Sequence, residues 1–89
     1  MTKGKKVGPY TIGEQYLIRT VTMYYTGRLE AVFKNEIVLS DAAWIADTGR
    51  FGTALKSGNL KEVEPIGRVI VGRGSIVDVC IWAHELPIS

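Results

Sequence analysis

The chain has 89 residues, with 11 lysines and arginines against 9 aspartates and glutamates, a formal net charge of +2 and an isoelectric point near 8.8. At 46% hydrophobic and 22% charged residues, its composition is that of a globular domain and excludes disordered, collagen-like and coiled-coil classes for the bulk of the chain. The basic excess is local: Lys3, Lys5 and Lys6 fall in the first eight residues, no acid precedes Glu14, and from residue 9 onward 8 bases face 9 acids, a net of −1. Gripping nucleic acid through its phosphates requires a basic face, so charge confined to a tail does not by itself argue nucleic-acid binding.

A chain this short buries only roughly 60–65% of the surface its unfolded form exposes, so the fold is marginal without a supplement. Cys80 is the only cysteine, which excludes an internal disulfide, and one Cys with one His cannot build a four-ligand zinc site. Oligomerisation is the supplement left open. The N-terminal lysines have no apolar h-region behind them and no apolar run approaches a bilayer-spanning length, so a soluble, cytoplasmic protein without membrane contact is expected.

Residues 1–8, with two glycines and three lysines, read as a flexible basic tail, and residues 9–89 as a single domain. From Tyr16 to Tyr25 the run YLIRTVTMYY is rich in β-branched and aromatic residues; alternation sets Leu17, Val21 and Met23 on one face and Thr20 and Thr22 on the other. Thr26-Gly27 can turn or bend the chain before a second strand in which Leu29, Ala31 and Phe33 alternate with Arg28 and Glu30. Lys34-Asn35 reads as a tight turn and EIVLSDAAWIA as a third strand. Between Asp47 and Pro65 the period changes: Asp47 or Thr48 can cap a short helix, Phe51 and Leu55 lie four apart on one face, and Gly58 suits a left-handed stop. Pro65 closes that segment. GRVIV and SIVDVCIW then form two strands joined at Gly72-Arg73-Gly74, where flanking glycines allow a sharp reversal. Five strands and one helical insertion between strands three and four predict a mainly β fold, a small, strongly bent antiparallel barrel.

Two stretches resemble the Sm-like family. Thr26-Gly27-Arg28-Leu29 leading through Ile37-Val38-Leu39-Ser40-Asp41 is similar to the first Sm motif, and Gly67-Arg68-Val69-Ile70-Val71 followed by Arg73-Gly74-Ser75-Ile76-Val77 to the second. The loop Phe33-Lys34-Asn35-Glu36 is about one residue shorter than its Sm counterpart, and only Asn35 matches the residues that help to hold a base there. No N-terminal helix is evident before Tyr16. The whole chain also resembles a small family of tailed-phage and prophage proteins, which suggests a source and implies little about activity. The Sm resemblance implies a ring of identical subunits, hexameric by analogy, closed by pairing strand four of one copy with strand five of the next. That ring would also resolve the edge-strand hazard of a short sheet.

Catalysis finds little support. Asp41, Asp47, Glu62, Glu64 and Asp78 are scattered with no spacing that forces a dyad, His84 and Cys80 would not share a helical face, and no phosphate-binding GxxxxGK[ST] loop occurs. No cofactor or metal is implied. Gly72-Arg73-Gly74-Ser75 is either an anion-binding nest of backbone N–H groups or merely a turn. By the Sm resemblance Arg73 lines the central hole, where it would meet a phosphate or stacked base; the competing account is an intersubunit salt bridge to Asp78 or Glu36. A second group, Trp44, Asp47, Thr48 and Arg50, combines an aromatic face, a carboxylate, a hydroxyl and a guanidinium within seven residues, a set that could bind a nucleotide. Its structural alternative has Trp44 in the core, Asp47 or Thr48 as cap, and Arg50 paired with Asp47. The expected ligand-binding residues are therefore Asn35, Trp44, Asp47, Thr48, Arg50, Arg73, Gly74 and Ser75. The expected function is a non-catalytic ring that holds a nucleotide, free or as RNA, with sequestration of a nucleotide signal against host defences as one form. A structural or protein-interaction ring is the alternative.

Overall fold

The computed structural model describes residues 4–88. Its elements are β1 (Lys6–Val7), β2 (Tyr10–Thr11), β3 (Gln15–Thr20), β4 (Tyr24–Val32), β5 (Glu36–Asp47), α1 (Phe51–Ser57), β6 (Glu62–Gly72) and β7 (Ile76–Ile81), with a 3-10 turn at Arg73–Ser75 between the last two. β1 and β2 form a separate hairpin, and the other five strands form one sheet in the order β6-β5-β4-β3-β7, antiparallel throughout.

One sheet with little else to cover it must bend to bury both faces, and a crease running across three strands provides the bend. The register slips between Thr26 and Arg28 in β4 and between Leu39 and Ala42 in β5, where Asp41 takes a φ of 48°, with Gly67 of β6 at 83°. Asp is among the residues that tolerate this left-handed region, and Gly enters it freely. At Gly27 the reason for glycine is proximity: a Cβ there would lie 2.9 Å from Cβ of Leu39. The bent sheet packs in two layers. Tyr16, Ile18, Leu29, Ile37, Leu39, Ala42 and Val71 make one. Leu17, Ala43, Ile45 and Trp82 make the other, covered by Phe51 and Leu55 of α1 and by Leu86. Phe51 and Leu55 thus share the buried helix face that their spacing predicts.

The segment after β7 is fastened over the second layer. Trp82 Nε1 donates to the Glu85 carbonyl at 3.2 Å, Gln15 Nε2 donates to the carbonyls of Trp82 (3.1 Å) and His84 (2.6 Å), and His84 Nε2 lies 2.7 Å from the Leu55 carbonyl. His84 therefore ties the C-terminal segment to α1. Gly58 ends the helix at φ 79°, and a Cβ there would strike the His84 ring at 2.7 Å.

Several sequence expectations change. The run Tyr16–Tyr25 is two strands, broken at Val21–Met23 by a turn without Gly or Pro: Thr20 Oγ1 donates to the Met23 carbonyl at 2.7 Å and accepts from the Met23 N–H at 3.1 Å. Val21 is consequently 73% exposed while Thr20 is buried, the reverse of the simple alternation. Thr26-Gly27 is no turn but the crease inside β4. Pro65 does not close the insertion; it lies within β6, an edge strand, where a missing N–H is tolerated. Part of the stretch read as tail is ordered: Gly4 N–H donates to the Ile12 carbonyl and Ile12 N–H to that of Lys5, with Gly8 (φ 59°) and Pro9 turning the hairpin. Residues 1–3 of that stretch lie outside the described residues.

Among the described residues the barrel is not closed by a strand ladder. β6 and β7 are the two edges of the sheet, so Gly72-Arg73-Gly74 does not fold them into a hairpin. Instead the turn crosses between edges: Arg73 N–H donates to the Asn35 carbonyl, and the Ser75 carbonyl accepts from Val21 N–H, each at 2.9 Å. Three residues bridge the turn before β4 and the turn after it, which shows how far the sheet has curled.

Candidate functional site

β4 and β5 are joined across Lys34-Asn35, with Phe33 N–H donating to the Glu36 carbonyl at 2.8 Å. Glu36 stands opposite Gly72 in the ladder, so the end of β6 delivers Arg73 beside this turn. Arg73 is held there by its backbone bond to Asn35 and by Nη1, which donates to the Phe33 carbonyl at 2.8 Å. Its Cζ lies 5.9 Å from the ring centre of Tyr10, whose ring in turn meets Tyr16 edge-on at 5.8 Å. Tyr16 Oη accepts from the Thr11 N–H at 3.0 Å, so the β1–β2 hairpin is anchored to β3 and underlies the arginine. Nε and Nη2 of Arg73 have no protein partner among the described residues. Asp78, weighed as an ion-pair partner for Arg73, is engaged within the chain by Arg19, whose Nε reaches its two carboxylate oxygens at 3.2 and 3.1 Å and whose Nη2 also donates to it.

The structure thus brings together Asn35 and Arg73, two residues proposed from sequence, and adds Phe33 and Tyr10, which sequence reasoning passed over. Phe33 is 55% exposed, although alternation grouped it with Leu29, which is buried, and Ala31. The strand ends at Val32, and the neighbouring turn was the signal that the alternation stops there. Gly74 is open on the surface. Ser75 turns its hydroxyl back to the Gly72 carbonyl at 2.8 Å, which explains this serine as a turn residue.

The second group does not assemble. Asp47 accepts from the Gly49 N–H at 2.8 Å and lies 3.9 Å from Lys61 Nζ rather than pairing with Arg50. Thr48 Oγ1 donates to the Gly49 carbonyl at 2.9 Å. The residue at the start of α1 is Arg50, without any side-chain cap; neither Asp47 nor Thr48 caps the helix. Arg50 borders a hollow with Phe51, Thr53 and Lys56, whereas Trp44 borders another with Met23, Glu62 and Glu64. Trp44 is not in the core either, at 42% exposed; the buried tryptophan is Trp82.

Among the described residues no group of three His, Cys, Asp or Glu side chains is placed to hold a metal ion, and no helix is long and apolar enough to cross a membrane. No family model and no curated protein matches the chain. Among solved structures, the crystal structure of a heptameric archaeal Sm protein, discussed for its implications for the eukaryotic snRNP core, matches with a TM-score of 0.57 and 21% identity over 79% of this chain and 87% of that one. The fold is Sm-like. Within it, Gly27, Asp41 and Gly67, which belong to the stretches that carry the sequence resemblance, stand at or beside the crease, and the Arg73 turn spans its open end.

Proposed function

We propose that this chain is a non-catalytic, ring-forming binding protein that holds a nucleotide, free or as part of an RNA strand, on the rim made by Arg73 and the Phe33–Asn35 turn. The observation that carries this reading is the fixed arginine: its backbone and Nη1 are committed to that turn, while Nε and Nη2 have no partner among the described residues. A guanidinium so held offers forked donors to a phosphate, the exposed Phe33 offers a stacking face, and the Asn35 amide can donate to and accept from a base edge.

The ring rests on the two sheet edges. β6 exposes Ile70 and β7 exposes Val77 and Ile81, and unpaired strands with apolar side chains recruit a partner strand. Repeating the rim around a ring would set several arginines on one ligand path. The resemblance in the sequence implies six subunits, and the archaeal neighbour is a heptamer. Net charge supports the compact ligand: a body of net −1 from residue 9 onward gives a long polyanion little long-range attraction. Sequestration of a nucleotide signal by a phage protein is the narrowest form of this reading.

Native mass spectrometry of the protein purified from expressing cells reads subunit number and bound nucleotide together; a strict monomer at micromolar concentration overturns the ring. Arg73→Ala is expected to weaken binding of a labelled hexauridylate, or of a mononucleotide, by about 10–100-fold, with Arg50→Ala unchanged. Equal affinity in Arg73→Ala and the parent protein overturns the rim.

A further inference from the structure

Trp44 lies in acidic company, and we infer that it anchors a docking site for a cationic side chain, Lys or Arg, presented by a partner polypeptide. This surface is at the other end of β5 from the Arg73 rim and does not depend on it. Ala43 and Ile45, on either side of Trp44, are fully buried in the second layer, so the period of two turns the indole to the opposite face. Tyr25 flanks it on β4 and Glu64 on β6. Trp44 and Glu64, with Met23, Ala46, Glu62 and Val63, border a hollow of ≈ 140 Å³, smaller than the roughly 300–1,000 Å³ of small-molecule sites and suited to the end of one side chain.

Charge decides which side chain. Glu62 and Glu64 are both exposed, and neither has an ion-pair partner among the described residues; the pairs that form use Asp78, Asp47 and Glu30. Lys61, the neighbour of Glu62 in sequence, reaches towards Asp47 instead. Two unneutralised carboxylates beside an indole face repel a phosphate and attract a cation, and an aromatic face adds its own attraction for a guanidinium or ammonium. The polarity is thus opposite to that expected when Trp44 is grouped with Arg50 as a nucleotide site. A basic segment of another protein supplies the complementary charge, with its stem lying along Met23 and Ala46.

The test uses the full chain and two labelled peptides of identical Gly-Ser background, one with two arginines and one with two glutamates. The arginine peptide is expected to bind saturably by fluorescence anisotropy and to shift the indole N–H resonance of Trp44 but not that of buried Trp82. The glutamate peptide should do neither. Trp44→Leu and the double variant Glu62→Gln, Glu64→Gln should each weaken the arginine peptide by about tenfold; all three positions are exposed, so these variants keep the fold. Unchanged affinity in the double variant, equal binding of both peptides, or no saturation overturns the proposal. If Trp44→Leu instead lowers the subunit number in light scattering, the surface is an interface between copies and the separate partner is overturned.

Discussion

The two ends of β5 differ in how their side chains are assembled. At the Glu36 end, Phe33, Asn35, Arg73 and Tyr10 come from segments as much as 63 residues apart in number, yet backbone ladders and a crossing turn hold them on one rim. At the Asp47 end, Trp44, Asp47, Thr48 and Arg50 lie within seven residues and disperse. A strand sends successive side chains to opposite faces, and the chain reverses direction after Asp47, so adjacency there separates what pairing elsewhere unites. Proximity in sequence is evidence for a site on a helix or in a tight loop; along a strand it argues the other way.

The largest expected effect separates the two tryptophans on which that contrast turns. Trp82→Ala should cost about 3–5 kcal/mol, because the indole is buried among Leu17, Ala43 and Ile45 and bonds to the Glu85 carbonyl. Trp44→Ala should stay within about 0.5 kcal/mol. Urea denaturation of both variants measures this, and a larger loss at Trp44 would show that the Asp47 end is packed after all.

Glycines give the next test. Gly27→Ala forces a methyl against Leu39 at the crease and should destabilise by about 1–3 kcal/mol. Gly52 lies in α1 with open space around it, so Gly52→Ala should stabilise by about 0.5–1 kcal/mol. Opposite signs in thermal melts would establish that one glycine is needed for close approach and the other is not.

How much of this was legible beforehand follows the same division. Local signals served well: the third strand, the Lys34-Asn35 turn, the helix face of Phe51 and Leu55 and the Gly58 stop depend on near neighbours. The break at Val21–Met23 was hidden because Thr20 closes the turn with its own hydroxyl, among residues that otherwise favour strands. The two-layer packing defeated alternation from Tyr16 to Tyr25, since Leu17 and Ile18 are both buried, in different layers. The Sm resemblance implied separate ligand-holding roles for Asn35 and Arg73, but nothing in the spacing foretold that they meet, because this depends on the register of β5 with β6.

A smaller effect is expected from Thr26, which the crease buries in β4 with Oγ1 lacking a hydrogen-bond partner among the described residues. An unbonded buried hydroxyl costs about 1–3 kcal/mol, so Thr26→Val, which keeps the shape, should gain stability of about 1 kcal/mol by urea denaturation. Thr26→Ser, which keeps the hydroxyl and loses the methyl, should lose it. Destabilisation by Val would mean that the hydroxyl does find a partner in solution.

The smallest effect lies across the crease, where Arg68 of β6 spans β5 to reach Glu30 of β4. Its Nε lies 3.2 Å from each carboxylate oxygen and its Nη2 3.0 Å from one of them. The hydrogen bond from Arg68 holds the Glu30 carboxyl below its ordinary range, helped by the opposite charge and partly offset by desolvation. Both groups face solvent, so the pair is worth little, but its sign is definite. A carboxyl that binds its proton less readily when folded adds stability above its unfolded pKa, near 4.5, and loses it as pH falls through the folded value. Glu30→Gln should therefore lower Tm slightly at about pH 7, and the deficit should fade as pH falls through the folded value, below which Glu30 is protonated in both states. A deficit that persists in acid would assign the loss to packing across the crease, and the two halves of the sheet would then be joined there by shape rather than by charge.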